Sequence, residues 1–357
     1  MKGKQATTSA VWSEQSTTPG AIEEALRDLL RERHTKNHSF APARVLNLVV
    51  VCDRAWKGEV SNRLESIGHH SPSRTILCAV EPGRKTLDAW VAVASPDESD
   101  GRSLALGHEF VEVEMGPGHL ENLDTIVDPL VVSDLATVVW APHGHDAALE
   151  ALRHLGQVAL VDSVQEASVD DAIDKARRLS DDYYVVDLAW VRTTPWRERL
   201  AMTFDPPAMR PELGKISGLA IRHHPDSAAA GMLLVGWLSS RLGWKPGSMV
   251  RRDSALHGRA RGSRQDVAIR LTPDPELAAP GLAGITIETA SGMSLSLDRG
   301  PGGLHAVRRT RRGGESSWVI MGASRGEAGI LGKSIREALL RDKTYRPALD
   351  VASRMLS

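Results

Sequence analysis

Runs of apolar residues alternate with amphipathic segments through the first half of the chain. Residues 44–53 (RVLNLVVVCD) form a continuous β-branched run, which is typical of a strand buried on both faces. Residues 22–30 carry apolar side chains at helical spacing. The same patterns predict helices at 62–67, 120–127, 146–155 and 169–179, and strands at 75–80, 89–94, 109–115, 137–140 and 158–161. This alternation predicts an α/β fold with a mostly parallel sheet and helices on its faces. The strict alternation of residues 109–115 indicates an edge strand.

The pattern changes after Tyr183-Tyr184. It predicts helices at 194–204, 227–242 and 333–341, and strands at 215–223, 267–271, 285–287, 295–297 and 318–321. The strands from Gln265 onward read as hairpins, and the Gly/Arg-rich segments 258–262 and 308–314 read as loops. We therefore predict a flexible tail and amphipathic helix at 1–40, an α/β domain at 41–182, and a smaller α+β domain with antiparallel strands at 183–357.

The composition is that of a globular protein long enough for two domains. Of the 357 residues, 41% are hydrophobic and 25% are charged. No apolar run approaches the ~20 residues of a membrane span, and the N-terminus lacks a secretory signal. With only two cysteines, these features predict a cytoplasmic protein without a disulfide framework.

The net charge of −1 conceals an asymmetry between the two ends of the chain. Residues 241–357 carry 20 Lys and Arg against 11 Asp and Glu, whereas residues 1–240 carry 24 against 34. Such a split suits self-association, an acidic partner or phosphate binding. Within the basic part, the arginines at 251, 252, 259, 261 and 264 could bind phosphate or nucleic acid. They lack interleaved aromatic residues for base stacking, so we favour a solvated loop over a nucleic-acid-binding surface.

Each catalytic motif in the chain lacks a required residue. The serine of Gly322-Ala323-Ser324-Arg325-Gly326 has no histidine after it to act as its base. Gly332-Lys333-Ser334 lacks the first glycine of a phosphate-binding loop, because Glu327 occupies that position.

The histidine pairs and the first strand fail comparable tests. His143-Gly144-His145-Asp146 supplies too few metal ligands, and we interpret it, like His69-His70 and His223-His224, as surface histidines. No G-x-G-x-x-G follows the first strand. We therefore expect no catalytic residues, no cofactor and no metal.

The most informative segment is residues 187–197, DLAWVRTTPWR. It places two tryptophans and two arginines within eleven residues of a chain that is only 4% aromatic. Trp and Arg are enriched in protein–protein hot spots. The alternative is that the tryptophans belong to the core and an arginine pairs with Asp187, since buried aromatics are commoner than interface anchors.

This segment resembles the hallmark of the OpcA family of glucose-6-phosphate dehydrogenase assembly or activator proteins. The resemblance runs from about Val11 to Trp244 and more loosely beyond it. The matching residues are Asp187, Trp190, Arg192, Thr194, Trp196 and Arg197 in the hallmark, and Arg74 before the second strand. Ser133 and Ala141 depart from the usual Pro and Trp of a family loop.

The resemblance implies a non-catalytic protein that binds glucose-6-phosphate dehydrogenase and promotes its active oligomer in the oxidative pentose phosphate pathway. Arg192, Trp196 and Arg197 would then shape or line the contact, and the other matching residues belong to the partner interface or to the family motif. Two alternatives remain at this stage, a sugar-phosphate enzyme and a nucleic-acid-binding regulator, both using the basic C-terminal part. Cys52 and Cys78 could pair if their strands are neighbours, although buried free thiols are the favoured interpretation.

Overall fold

A computed structural model describes residues 9–36, 44–68, 73–94, 108–321 and 326–357. The strands are β1 (Ser9–Glu14), β2 (Leu46–Asp53), β3 (Ser73–Val80), β4 (Asp88–Ala94), β5 (His108–Met115), β6 (Thr137–Trp140), β7 (Val158–Val161), β8 (Tyr184–Asp187), β9 (Ile216–His223), β10 (Lys245–Pro246), β11 (Val250–Arg252), β12 (Ala255–Arg261), β13 (Asp266–Pro273), β14 (Leu282–Thr289), β15 (Ser294–Gly300), β16 (Gly303–Arg309) and β17 (Glu315–Met321). The α-helices are α1 (Pro19–Lys36), α2 (Lys57–Gly68), α3 (Leu123–Val127), α4 (Asp146–Ala151), α5 (Val169–Leu179), α6 (Leu188–Arg192), α7 (Thr194–Phe204), α8 (Arg210–Leu213), α9 (Ala228–Leu242), α10 (Gly326–Leu340) and α11 (Tyr345–Leu356).

The chain divides into two compact units. The first comprises the residues up to Val161 together with Asp182–Val185 and Leu331–Leu339, and the second comprises Asp162–Asp181, Val186–Ile330 and Leu340–Ser357. The predicted fold class is confirmed: one sheet is mostly parallel with helices around it, and the other is mostly antiparallel.

The mostly parallel sheet has the strand order β1-β4-β5-β3-β2-β6-β7-β8. From β5 to β7 the neighbouring strands are parallel, and β2 and β3 are buried almost throughout. After β2 the chain adds β3, β4 and β5 on one side of β2, and it then returns to add β6 on the other side. The carboxyl ends of β2 and β6 therefore form the switch point where open α/β sheets bind ligands.

The prediction that residues 109–115 form an edge strand is wrong. β5 lies between β4 and β3, and β1, in the part expected to be flexible, forms the outer strand beside β4. The alternation of β5 has another cause. Glu112 and Glu114 project toward Lys57 at the start of α2. The Nζ of Lys57 lies 2.7 Å from the Glu112 carboxylate and 2.8 Å from the Glu114 carboxylate.

The antiparallel sheet has the order β10-β12-β13-β9-β14-β15-β16-β17, with β11 also paired to β12. β13 and β14 are not a hairpin, because β9 lies between them, parallel to β13 and antiparallel to β14. Of the two predicted loops, 258–262 is largely strand, whereas 308–314 is mostly the expected turn. The first falls mostly within β12, and the second holds the last two residues of β16 and the tight turn that leads to β17. The pairing of β12 with β13 holds the first of these glycine- and arginine-rich segments in place.

The long apolar helix α9 packs on β9 and β13, and α11 packs on α9 and α5. α11 is a helix that the sequence patterns above did not predict. Gly236 allows α9 to approach α11 closely, because a Cβ atom there would lie 2.1 Å from the carbonyl oxygen of Ala348. Among the described residues, no helix is long and apolar enough to cross a membrane.

Candidate functional site

The segment 187–197, called the motif segment below, begins at the end of β8 and continues through α6 into α7. Asp187 is fully buried and caps α6: its Oδ1 accepts hydrogen bonds from the amides of Ala189 (2.8 Å) and Ser163 (3.2 Å), and its Oδ2 accepts one from the Ser163 hydroxyl. Burial raises the pKa of Asp187 to about 6, against the lowering effect of the hydrogen bonds from Ser163. The turn from strand to helix is thus fixed by bonds within the second unit.

Arg192 is the most enclosed cation of the motif segment, with a side chain only 6% exposed. Its Nη1 and Nη2 donate to the two carboxylate oxygens of Asp162 at 2.7 and 2.8 Å, and its Nη2 and Nε donate to Glu327 at 2.6 and 3.3 Å. Arg192 therefore pairs with two distant carboxylates rather than with Asp187, whose oxygens are occupied in capping. Burial opposes the positive charge, but the bonds to Asp162 and Glu327 raise the pKa of Arg192.

Trp190 and Arg197 form a second cluster with residues at the start of α11. The Arg197 guanidinium lies 3.5 Å from the centroid of the Trp190 ring, a cation–π contact, and the Tyr345 ring packs 5.5 Å from it. Asp342 accepts hydrogen bonds from Trp190 Nε1 at 2.9 Å and from Arg197 Nη1 at 3.3 Å. Burial tends to raise the pKa of Asp342, but its hydrogen bonds, foremost those from Thr344, hold it below the ordinary value.

Six of the seven predicted site residues lie in these clusters or beside them in the motif segment. Trp190 and Trp196 are buried, and the partly exposed Thr194 accepts a hydrogen bond from Arg197 at 3.2 Å. Both tryptophans thus have the buried environment that the alternative interpretation, core residues rather than interface anchors, assigns to them. A direct contact of these residues with a partner remains a prediction.

Arg74, the seventh predicted residue, belongs to the first unit. It is buried and donates to Glu109 at 2.5 Å and to the carbonyl of Leu130 at 2.8 Å. Glu109 also accepts from Arg44. This ion triad ties together the amino ends of β3 and β5.

The partners of the motif segment were missed by the sequence analysis. Asp162, Glu327 and Asp342 lie 30, 135 and 145 residues from the arginines that they bind. No local spacing signals pairs of such separation. Tyr345 is different, since the helical spacing of apolar residues through α11 would have indicated its buried position.

A separate group of polar and aromatic side chains lies at the carboxyl ends of β2 and β6 in the first unit. His145 Nε2 is 3.1 Å from the Asp53 carboxylate, and the His143 ring stacks on the exposed Trp56 with centroids 4.4 Å apart. His143 adopts φ +64°, a left-handed conformation uncommon for a residue with a Cβ. Two potential ligands do not make a metal site, and the described residues contain no group of three or more that could.

The structure places the remaining sequence motifs outside any candidate site or outside the described residues. Residues 322–325 of the serine motif and His69-His70 lie outside the described residues. Gly332-Lys333-Ser334 is interior to α10. The surface interpretation is wrong for His223, which is 3% exposed and whose pKa is lowered by burial.

Cys52 and Cys78 are free, buried thiols on neighbouring parallel strands. Cys78 is in register with Val51, the residue before Cys52, so the two side chains point to opposite faces of the sheet. Burial raises the pKa of each thiol to about 12. The register thus opposes a disulfide between them and favours the interpretation as free thiols.

One apolar groove of the second unit borders the motif segment. It has a volume of about 330 Å³ and is lined by α7, α8 and α9 with contributions from β9 and β14, notably by Leu200, Phe204, Leu213, Trp237, Leu242 and Arg241. Asp205 and Arg210 also line it and pair with each other at 3.1 Å. Arg241 is exposed, and no ion pair or side-chain hydrogen bond joins it to another residue within the described ranges. Aromatic and apolar walls beside an available guanidinium match the composition of a protein-docking pocket.

Comparison with known families identifies both parts of the chain. Residues 64–179 match the family model described as the glucose-6-phosphate dehydrogenase subunit N-terminal domain, and residues 183–349 match the one described as the C-terminal domain of the same subunit. The chain belongs to the OpcA family. The second match contains the whole motif segment.

Relatives and solved structures show the breadth of this similarity. The chain is 25% identical over 210 residues to a candidate OxPP cycle protein OpcA of Synechocystis sp., and 27% identical over 185 residues to its namesake in Synechococcus elongatus. These matches cover 56% and 50% of this chain but only 44% and 42% of the relatives. In fold alone, the chain is similar to a super-repressor mutant of Gal80p from Saccharomyces cerevisiae, with TM-score 0.50, 11% identity, and coverage of 88% and 97% of the two chains.

Proposed function

We propose that this OpcA-family protein is a non-catalytic assembly factor that binds glucose-6-phosphate dehydrogenase and promotes its active oligomer in the oxidative pentose phosphate pathway. The observation that carries the proposal is the pair of successive family matches, both described as parts of a glucose-6-phosphate dehydrogenase subunit. The names of the relatives refer to the same cycle.

The switch point of the parallel sheet supports a non-catalytic role. In a dinucleotide-binding sheet, glycines after the first strand let the backbone approach the pyrophosphate. Here β2 runs into a short 3-10 turn, Arg54–Trp56, followed by Lys57. Arg54 and Lys57 both bind Glu114, so bulky, internally paired side chains occupy the place of a phosphate-binding loop.

An enzyme acting on a sugar phosphate remains the second candidate, and the pair formed by Asp53 and His145 favours it. A carboxylate that orients an imidazole is a common general-base arrangement. The purified protein should show no turnover of sugar phosphates. Turnover that is lost in His145→Gln would establish the enzyme instead.

We place the dehydrogenase contact on the groove lined by α7, α8 and α9. The motif segment fixes the start of α7 through the bonds of Arg197 and Thr193, and the later residues of α7 form one wall of the groove. In this proposal the motif segment shapes the contact from within, and Trp237 and Arg241 meet the partner. The charge of Arg241 requires an apolar segment of the dehydrogenase that carries a carboxylate.

The test measures binding of the dehydrogenase from the same organism by calorimetry, and its oligomeric state and activity in parallel. The wild-type protein should bind and shift the dehydrogenase to its active oligomer, and failure to bind would refute the proposed function. Arg241→Glu should weaken binding by about tenfold or more without changing the thermal unfolding midpoint, since hot-spot truncations exceed about 1–2 kcal/mol. Arg312→Glu, the same charge change in an exposed turn, is the matched control. Equal affinities of the two variants would place the contact elsewhere while leaving the function intact.

A further inference from the structure

Three cationic side chains share one corner of the antiparallel sheet, which we call the basic corner: Lys245, Arg259 and Arg261. Lys245 in β10 lies directly opposite Arg261 in β12, and Arg259 comes two residues earlier on the same face of β12. All three are exposed. No ion pair or side-chain hydrogen bond joins any of them to the rest of the described chain.

This arrangement is unfavourable for the unliganded protein. Like charges directly opposite each other on neighbouring strands destabilise a sheet. The nearest carboxylate in register, Asp266 in β13, lies opposite Arg261 but forms no ion pair within the described part of the structure. Three positive charges and one negative charge therefore leave an excess of positive charge at the basic corner.

The same residues enclose a shallow depression. Its volume is about 530 Å³, and its lining consists of the three cations, Asp266 and the small residues Pro246, Gly247 and Ala260. Guanidinium groups bind phosphate oxygens in pairs, and a lysine ammonium adds a point charge. A group with two or more negative charges would neutralise the excess and remove the repulsion across β10 and β12.

We propose that the basic corner binds the phosphate group of a small phosphorylated metabolite. A small ligand is favoured over nucleic acid for two reasons. The lining has no aromatic side chain on which a base could stack. The cations also converge on one depression, whereas nucleic-acid affinity comes from many phosphates along an extended surface. This proposal does not depend on the dehydrogenase partnership.

The experiment titrates the full chain with inorganic pyrophosphate, inorganic phosphate and a short DNA duplex, by calorimetry at low ionic strength. Pyrophosphate should bind more tightly than phosphate, and Lys245→Glu and Arg261→Gln should each weaken pyrophosphate binding by about tenfold or more, as expected for loss of a charge-assisted bond. Arg312→Glu and Arg312→Gln, which make the same charge changes in the turn between β16 and β17, should bind as the wild type does.

A second readout separates ligand binding from damage to the fold. Lys245→Glu places a carboxylate opposite Arg261, so its thermal unfolding midpoint without ligand should rise while its affinity for pyrophosphate falls. Unchanged pyrophosphate affinity in Lys245→Glu, or an absence of pyrophosphate binding by the wild type, would overturn the proposal. DNA binding that exceeds pyrophosphate binding and is lost in the same variants would replace it with the nucleic-acid interpretation.

Discussion

The motif segment and the basic corner use cationic side chains in opposite ways. Arg192 is almost completely enclosed and bound by two carboxylates. Lys245 and Arg261 are exposed and face each other across two strands. A buried charge is tolerated only when paired, so the bonds of Arg192 serve to define one fold. Hydrated cations cost little to keep unpaired and remain available to a ligand. Changes in the first region should therefore alter folding, and changes in the second should alter binding.

Trp196→Ala should give the largest effect on folding. The side chain is 2% exposed, so its loss should lower the free energy of unfolding by about 3–5 kcal/mol. Met202→Ala in the same helix, at a position that is 62% exposed, should change it by less than about 0.5 kcal/mol. Urea unfolding of both variants measures the difference. A stable Trp196→Ala protein that no longer binds the dehydrogenase would instead make Trp196 an interface anchor.

Arg192→Gln should be the next most destabilising change. It leaves Asp162 enclosed without its guanidinium, and breaking a buried pair on one side costs about 3 kcal/mol. Arg192→Lys should recover only part of the loss, because an ammonium cannot bond both oxygens of Asp162 in the fork geometry of arginine. Arg199→Gln on α7 is the control. If Arg192→Gln were as stable as that control, the network would contribute little to folding.

Asp187→Asn should alter how stability depends on pH. The folded-state pKa of about 6 lies above the ordinary value of 3.8. The protonated carboxyl therefore contributes to the free energy of unfolding in full below about pH 4. This contribution, up to about 3 kcal/mol, is lost as the pH rises to about 6. Asparagine does not ionise, and its oxygen can accept both amide bonds now made to Oδ1.

The variant should therefore gain stability relative to the wild type between pH 4 and 6. Urea unfolding across this range tests the prediction, with the exposed Asp181→Asn as control. A constant difference between Asp187→Asn and the wild type across the range would mean that Asp187 is ionised throughout.

Much of the fold could be predicted because local patterns determine it. The bounds of β6, β7, α5 and α7 match the sequence-based ranges, since each is an apolar or amphipathic run ended by turn residues. The position of β9 between β13 and β14 could not be predicted in this way. Which strands pair depends on how they assemble against α9. The apolar pattern of a strand is the same whichever strand becomes its neighbour, so the pattern does not identify the partner.

The site was predictable in composition but not in arrangement. The motif segment was identified from its unusual content of Trp and Arg, yet its burial depends on carboxylates contributed by distant segments. The basic corner illustrates the same limit. Lys245 and Arg261 are sixteen positions apart in the sequence, and only the pairing of β10 with β12 places them opposite each other. Charges can be counted from the sequence, but whether each is paired follows from the register.

The smallest expected effect concerns salt, which should distinguish the two kinds of charge. Screening shortens the reach of exposed charges to about 3 Å at 1 M salt, so the repulsion between Lys245 and Arg261 should fade. At low salt the wild type should be about 0.5 kcal/mol less stable than Lys245→Gln, and this difference should shrink to near zero at molar sodium chloride. The stability difference between the wild type and Arg192→Gln should stay the same, because a buried pair is screened much less. Urea unfolding of the three proteins at both salt concentrations measures these differences. Equal salt dependence for the two variants would show that the basic corner carries no repulsion for a ligand to relieve.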